Sequence, residues 1–339
     1  MSKFYDVYGI GNAVVDLIVE VDHDFLDQHK IDKGIMTLVD EERQKELLKN
    51  LDLKPEMMKS GGSAANTIIS VNQFGGKGYY AFKVANDDFG HFYIDDLHEA
   101  GVDTNLKKQD AQKGITGKCL VLVTPDADRT MNTFLGITSN FSKNEIREDA
   151  LKNSKYVYLE GYLVSSPTAL DAMLEAKDIA SQNGVLTSLT FSDINMINFF
   201  NEGMGKVVGG GLDLIFGNEE EARAFTKTDN LSDTKEKMKT IAKTFVITLG
   251  DKGALAYDGT NMIDISPNKI QPIDSVGAGD MFAGAFLYGL TSGHTFEEAG
   301  KIASLASAKV VTQYGPRLDN HQPKELVKHL QDTGEIKSK

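Results

Sequence analysis

Tryptophan is absent and cysteine occurs once, at Cys119, so no disulfide can close within the chain. Stability must then come from packing, and 41% apolar residues in 339 allow a sizeable core. A lone thiol suits a reducing compartment. No run of about 18 apolar residues occurs, which excludes an ordinary membrane-spanning helix. The opening residues Met1-Ser2-Lys3-Phe4-Tyr5-Asp6-Val7 lack the apolar centre of a secretory signal, so a cytoplasmic location is expected. Positive charge is in deficit: 36 basic against 49 acidic residues give a net charge of −13. Such a field repels nucleic acid and anionic membrane surfaces, and the expected partner is a small molecule. Only seven prolines are present, and no repeat, linker or low-complexity tract breaks the chain. The polar tail from Gly334 to Lys339 is expected to fray.

What the chain does have is an alternation of strands and helices. Tyr156-Leu159, Val185-Leu189, Leu212-Phe216 and Thr244-Leu249 read as buried strands, recurring about every 30 residues as βαβ units do. Ser166-Pro167 reads as an N-cap followed by proline at the first helical position, with the helix ending before Asn183-Gly184. Thr295 and Glu298 form a capping-box pattern ahead of an apolar stripe at Ala299, Ile302, Ala303, Ala306 and Val310. The first third is different. Leu17-Val21, Ile35-Val39, Cys119-Thr124 and Thr130-Leu135 read as strands without covering helices, the last two joined as a hairpin through Pro125-Asp126-Ala127-Asp128. They predict a small second sheet with one uncovered face, set into an α/β domain and suited to a lid or a dimer contact.

Three glycine-bearing segments carry the candidate chemistry. In Asp274-Ser275-Val276-Gly277-Ala278-Gly279-Asp280 a glycine-rich loop runs into an apolar helix. Free N–H groups at a helix start attract anions, and the glycines let a phosphate approach closely. Asp280 stands at that start, where a carboxylate either complements the helix dipole or takes a proton from an alcohol. The second segment is Gly61-Gly62-Ser63-Ala64-Ala65-Asn66, a tight turn or a hydroxyl-binding loop. The third is Gly9-Ile10-Gly11-Asn12-Ala13-Val14-Val15-Asp16, in which Asp16 can accept from adjacent sugar hydroxyls. The third glycine of a dinucleotide fingerprint is missing, as is the G-x-x-x-x-G-K-S/T of a Walker loop. Each segment follows an apolar stretch, and in an open α/β sheet such loops converge at the carboxyl ends of the strands.

With these motifs the whole chain resembles the ribokinase-like family, the PfkB carbohydrate kinases. Gly61-Gly62 through Asn86-Asp87-Asp88-Phe89-Gly90 is similar to one family signature, and Asp274 through Asp280 with its helix to the other. The resemblance implies one three-layer α/β/α domain over 1–339 with a predominantly parallel central sheet. A β-sheet lid would come from about 16–39 and 105–137. It implies ATP as phosphate donor, Asp280 as general base, and an anion hole from Gly277, Ala278 and Gly279. Arg129 would reach the transferring phosphate. Asn218 and Glu221 would organise Mg²⁺ through water, while Thr248 and Gly250 would meet the nucleotide. The backbone at Asp274 and Val276 resembles the family's K⁺ loop, with Gly315 across from it; Pro316 and Arg317 receive no role.

Within that family, Gly11 to Asp16 is more similar to adenosine kinases than to ribokinases, although Ala13 stands where those usually have proline. The implied acceptor is the 5′-hydroxymethyl group of a nucleoside, adenosine first. Asn12, Asp16, Gly61, Gly62 and Asn66 would hold ribose, and Val14, Leu38, Cys119, Phe134 and Tyr162 would wall the base; each of these five also suits a plain core position. A sugar kinase of the ribokinase or fructokinase type and a catalytically silent ligand-binding protein stay open beside it, as do monomer and homodimer.

Overall fold

The computed structural model describes residues 3–52, 54, 57–126 and 128–338. Met1 and Ser2 of the opening run, Ala127 of the expected hairpin turn and Lys339 of the polar tail lie outside them. The chain forms two sheets. Strands β1 (Tyr5–Ile10), β5 (Gly78–Ala81), β6 (Asp103–Thr104), β9 (Ser154–Glu160), β10 (Leu186–Thr190), β11 (Leu212–Asn218), β12 (Ala242–Thr248), β13 (Ala254–Tyr257) and β14 (Met262–Ile265) build the larger one. Its order is β14-β13-β12-β11-β10-β9-β1-β5-β6. All its pairings are parallel except β12 with β13 and β13 with β14.

The period of two along these strands makes the layers. Val7, Tyr158, Leu214, Phe216 and Val246 point into one core, with the helices Ser63–Gln73 and Ala278–Thr291. Their neighbours Tyr8, Val157, Leu159, Ile215 and Ile247 point into the other, with the helix Pro167–Gln182. Apolar residues at consecutive positions are what a sheet covered on both faces requires. The Thr295–Glu298 capping box forms as expected and starts the helix Phe296–Val310. Ser166 takes the N-cap position of Pro167–Gln182, but its hydroxyl donates to the Ser139 carbonyl instead of capping. The tail departs from expectation as well. Ile336 is buried, and the Lys337 N–H donates to Glu298 at 2.9 Å, so apolar docking and a charge-assisted bond hold a segment that reads as polar.

The second sheet is made of β2 (Val14–Glu20), β3 (Met36–Leu38), β4 (Met58–Gly61), β7 (Thr116–Val123) and β8 (Arg129–Gly136), in the order β3-β8-β7-β2-β4. β7 and β8 pair antiparallel, and β2 runs parallel to β7. β4, Met-Lys-Ser-Gly, has little strand propensity of its own. It pairs with β2, so the sheet draws on residues outside 16–39 and 105–137. One face, with Val15, Leu17, Leu120 and Leu122, joins the main core beside Leu47 of the helix Glu41–Leu48. The other, with Val14, Cys119 and Val121, forms a small apolar cluster of its own. The chain passes from β1 in the large sheet to β2 in the small one through Gly11-Asn12-Ala13 alone, and that crossing is where the site lies.

Candidate active site

Asp280 sits in the first turn of the helix Ala278–Thr291. Gly277 before it is left-handed (φ 76°), and a Cβ there would lie 2.3 Å from the Pro316 ring, so no other residue fits this turn. The helix packs closely on Ser63–Gln73 through Gly284, whose added Cβ would stand 2.5 Å from that of Ser70. This approach brings Ser63 and Asn66 onto Asp280: Ser63 Oγ donates to Oδ1 at 2.6 Å, and Asn66 Nδ2 donates to Oδ2 at 3.1 Å. Burial raises the Asp280 pKa, and the two donors oppose the rise. Among the described residues, the N–H groups of Gly277, Gly279 and Asp280 have no protein acceptor, while Ala278 N–H turns back to the Ser275 carbonyl at 3.3 Å. Of the three expected anion-hole donors, two are therefore free and Ala278 is engaged.

A cavity of about 250 Å³ opens beside Asp280, between the small sheet and the strand ends of the large one. Its lining includes Asn12, Asp16, Gly62, Ser63, Glu160 and Asp280. Asp16 is pushed up to about 7 by burial, against the charge of Arg317 and with that of Asp280. Gly61 is the residue that gives it room, since a Cβ there would meet the Asp16 carboxylate at 2.2 Å. Glu160, at the end of β9, is buried and accepts from the backbone N–H groups of Asn12 (3.2 Å) and Ala64 (3.1 Å). Burial raises it to about 8. Three carboxyl groups around one cavity, one held on both oxygens beside unpaired N–H groups, can bind hydroxyls and remove a proton next to an anion.

Apolar side chains line the cavity too: Val14, Leu38, Cys119, Met131, Leu135 and Tyr162 face it, with Met36 and Met196. Phe134 does not. It pairs across from Lys118, while Cys119 pairs with Thr133. Side chains alternate along a strand, so Thr133 and Leu135 face the cavity and Phe134 the opposite side. There the Lys118 ammonium lies over its ring at 5.9 Å and over Phe89 at 4.7 Å.

Several expected contacts are already taken. Asn66 is absent from the cavity wall, its amide being shared between Asp280 and Arg317. Arg129 is ion-paired with Asp274, and both side chains are buried. Asp274 also accepts from Gly315 N–H at 2.7 Å and Val276 N–H at 3.0 Å, so the loop expected to offer a K⁺ site has its carboxylate filled by an arginine. Asn218 and Glu221 close on each other as a capping box at the start of Glu219–Thr226. Glu221 is raised to about 7 by burial. Among the described residues no group of three or more His, Cys, Asp or Glu side chains could hold a metal. Thr248 ends β12, and Gly250 beyond it is left-handed (φ 62°), with open space where a Cβ would be. Glu160, Ser63, Ser165, Ser192 and Thr133 line the cavity without having been expected. Glu160 had a signal, an acid directly after an apolar strand, and Ser63 lies within the Gly61-to-Asn66 segment; Thr133, Ser165 and Ser192 had none.

Fold and site together define a ribokinase-like α/β phosphotransferase. The chain belongs to the pfkB family of carbohydrate kinases, whose model matches residues 35–323. It is 26% identical to the adenosine kinase of Saccharomyces cerevisiae over 91% of this chain and 95% of that one. It is 25% identical to a 5-dehydro-2-deoxygluconokinase of Clostridium botulinum over 81% and 85%. The solved adenosine kinase from Sinorhizobium meliloti superposes with a TM-score of 0.87 at 33% identity, covering 97% of this chain and 99% of that one. Among the described residues no helix is long and apolar enough to cross a membrane.

Proposed function

We propose that the protein transfers the γ-phosphoryl group of ATP to the 5′-hydroxyl of a nucleoside, adenosine foremost, with Asp280 as the base. The observation that carries this is the mixed lining of the cavity. Asn12, Asp16 and Asp280 line it together with Val14, Leu38, Cys119, Leu135 and Tyr162. A nucleoside presents the same two kinds of surface, sugar hydroxyls and a flat, weakly polar base. A free sugar carries hydroxyls all round and would leave the apolar walls unused.

In the proposed reaction Asp280 takes the proton of the acceptor hydroxyl as its oxygen bonds to the γ-phosphorus. The bond from that phosphorus to the bridging oxygen breaks, and ADP leaves. The free N–H groups of Gly277 and Gly279 face the phosphoryl oxygens and stabilise their charge. Gly279 suits this because a Cβ there would meet nothing within 4 Å, leaving its backbone approachable. Thr248 and Gly250 lie at the end of β12 for the nucleotide. Glu221 and Asn218 fit a water-mediated Mg²⁺, since a nearby cation would ease the burial of Glu221; the ion would supply charge to the triphosphate. A K⁺ ion would be held by the backbone at Asp274 and Val276, since the Asp274 carboxylate is already matched by Arg129. The small sheet acts as the lid over the acceptor.

A second reading, a sugar kinase, is favoured by Glu160, Ser165 and Ser192, polar groups on the cavity wall beyond what a ribose needs. The deciding experiment is a Mg²⁺–ATP assay with adenosine, inosine, guanosine, ribose, fructose and 5-dehydro-2-deoxygluconate. Adenosine turned over at least tenfold faster than any sugar is the expected result. A sugar winning would overturn the nucleoside reading and leave the Asp280 mechanism standing.

A further inference from the structure

The tripeptide Gly315-Pro316-Arg317 touches the site from behind at three points. Gly315 N–H holds Asp274, the Pro316 ring fills the space beside Gly277, and Arg317 reaches Asn66. The Arg317 side chain is only 14% exposed. Its Nε donates to Asn66 Oδ1 at 3.3 Å, its Nη1 to Asp96 at 2.8 Å, and its Nη2 to Ser60 Oγ at 2.7 Å and to the Ser60 carbonyl. Asn66 in turn donates Nδ2 to Asp280 at 3.1 Å.

An amide between these two groups has one usable orientation. A guanidinium only donates and an ionised carboxylate only accepts, so the carbonyl must face Arg317 and the NH₂ must face Asp280. Rotated by half a turn, Asn66 would set oxygen against carboxylate and NH₂ against guanidinium. We propose that Arg317 is a positioning residue for phosphoryl transfer, locking the Asn66 amide so that its NH₂ holds Asp280 ready to receive the acceptor proton. Asp96 and Ser60 fix the guanidinium plane, and a lysine, a point charge on a flexible stem, cannot satisfy all three partners at once. The inference rests on Asp280 being the base.

A double-mutant cycle on the full-length enzyme tests it, using Mg²⁺–ATP and the acceptor turned over fastest in the panel. Arg317→Gln and Asn66→Ala should each lower kcat about tenfold, with the acceptor KM within about threefold. The double variant should be no slower than Asn66→Ala alone, because the arginine acts through the amide. Arg317→Lys should stay as slow as Arg317→Gln. Losses that multiply in the double variant, wild-type kcat in Arg317→Gln, or rescue by lysine would overturn the proposal. If circular dichroism shows Arg317→Gln unfolded, the same cycle run with Arg317→Lys decides by the same criteria. Asp280→Asn is measured alongside. If it stays active, the base assignment falls; if it is inactive while Arg317→Gln is fully active, only the role of Arg317 falls.

Discussion

The two sheets share one chain and obey different rules of burial. In the nine-stranded sheet, successive residues such as Val157 and Tyr158, or Leu214 and Ile215, are both buried, one in each core. In the five-stranded sheet, Val15 and Leu17 pack inward while Val14 and Asp16 of the same strand face the cavity. A sheet buried on both faces has only its strand ends free, so whatever chemistry it offers stands there, as Glu160 and Asn12 do. A sheet with one open face offers side chains along its length, and there shape and polarity can be adjusted without disturbing the core. In the proposed reaction the large sheet and its helices hold the reacting groups, and the small sheet chooses the acceptor.

The largest expected effect lies on the large-sheet side. Asp280→Asn should lower kcat by about 10²–10⁴-fold, the worth of a general base, with acceptor affinity by calorimetry changed little. A kcat within tenfold of wild type would remove Asp280 from the chemistry. On the small-sheet side, Asp16→Ala should weaken acceptor binding by about 10–100-fold, the loss of charged hydrogen bonds, and leave the KM for ATP near wild type. An equal loss for both ligands would mean that Asp16 supports the fold and does not hold hydroxyls.

The sharpest test uses two neighbours on opposite faces of β8. Leu135→Ala should lower kcat/KM for adenosine about tenfold and leave ribose nearly unaffected. Phe134→Ala should instead cost about 1–2 kcal/mol of stability in urea unfolding, with adenosine kinetics unchanged. Reversed results would mean that the register of β7 and β8 is wrong by one residue.

The smallest effect is on pH dependence. Burial raises Glu160 from 4.5 to about 8, so between those values the folded state binds a proton that the unfolded state has lost. Stability then falls as pH rises through that window. Glu160→Gln keeps an oxygen for the Asn12 and Ala64 N–H groups and removes the titration. Its Tm at pH 8 should exceed that of the wild type by about 2–4 °C, with the two converging near pH 4.5. Parallel curves would show Glu160 to be ionised in the fold.

Four neighbouring strands of the large sheet, β9 to β12, were legible because apolar-rich stretches recur there about every 30 residues. Ser154–Glu160 extends its expected strand by two residues at the start and one at the end, and Leu212–Asn218 by two at the end alone. The small sheet was less so. β4 is polar and short, and exists because β2 offers it a partner. Asp280, Asp16 and Asn12, singled out by their glycine neighbours, line the cavity. Phe134 was misplaced because hydrophobicity does not reveal which face of a hairpin a residue takes; register does. Arg129 was expected on the transferring phosphate and Asn66 on the ribose; in the structure their partners are Asp274, Asp280 and Arg317, between 145 and 251 residues away in the chain.

From the sequence alone came the α/β class, the second sheet, the family and the glycine turn before Asp280. These follow from local patterns: periods of two and 3.6, and turns that only glycine can make. Tertiary structure alone decided which side chains share the cavity and how their charges are matched. It put Glu160 beneath Asn12, turned Leu135 in and Phe134 out, and gave Arg129 to Asp274 and Asn66 to Arg317. Such choices depend on strand register and on close helix contacts like that at Gly284, where segments distant in sequence settle each other's positions.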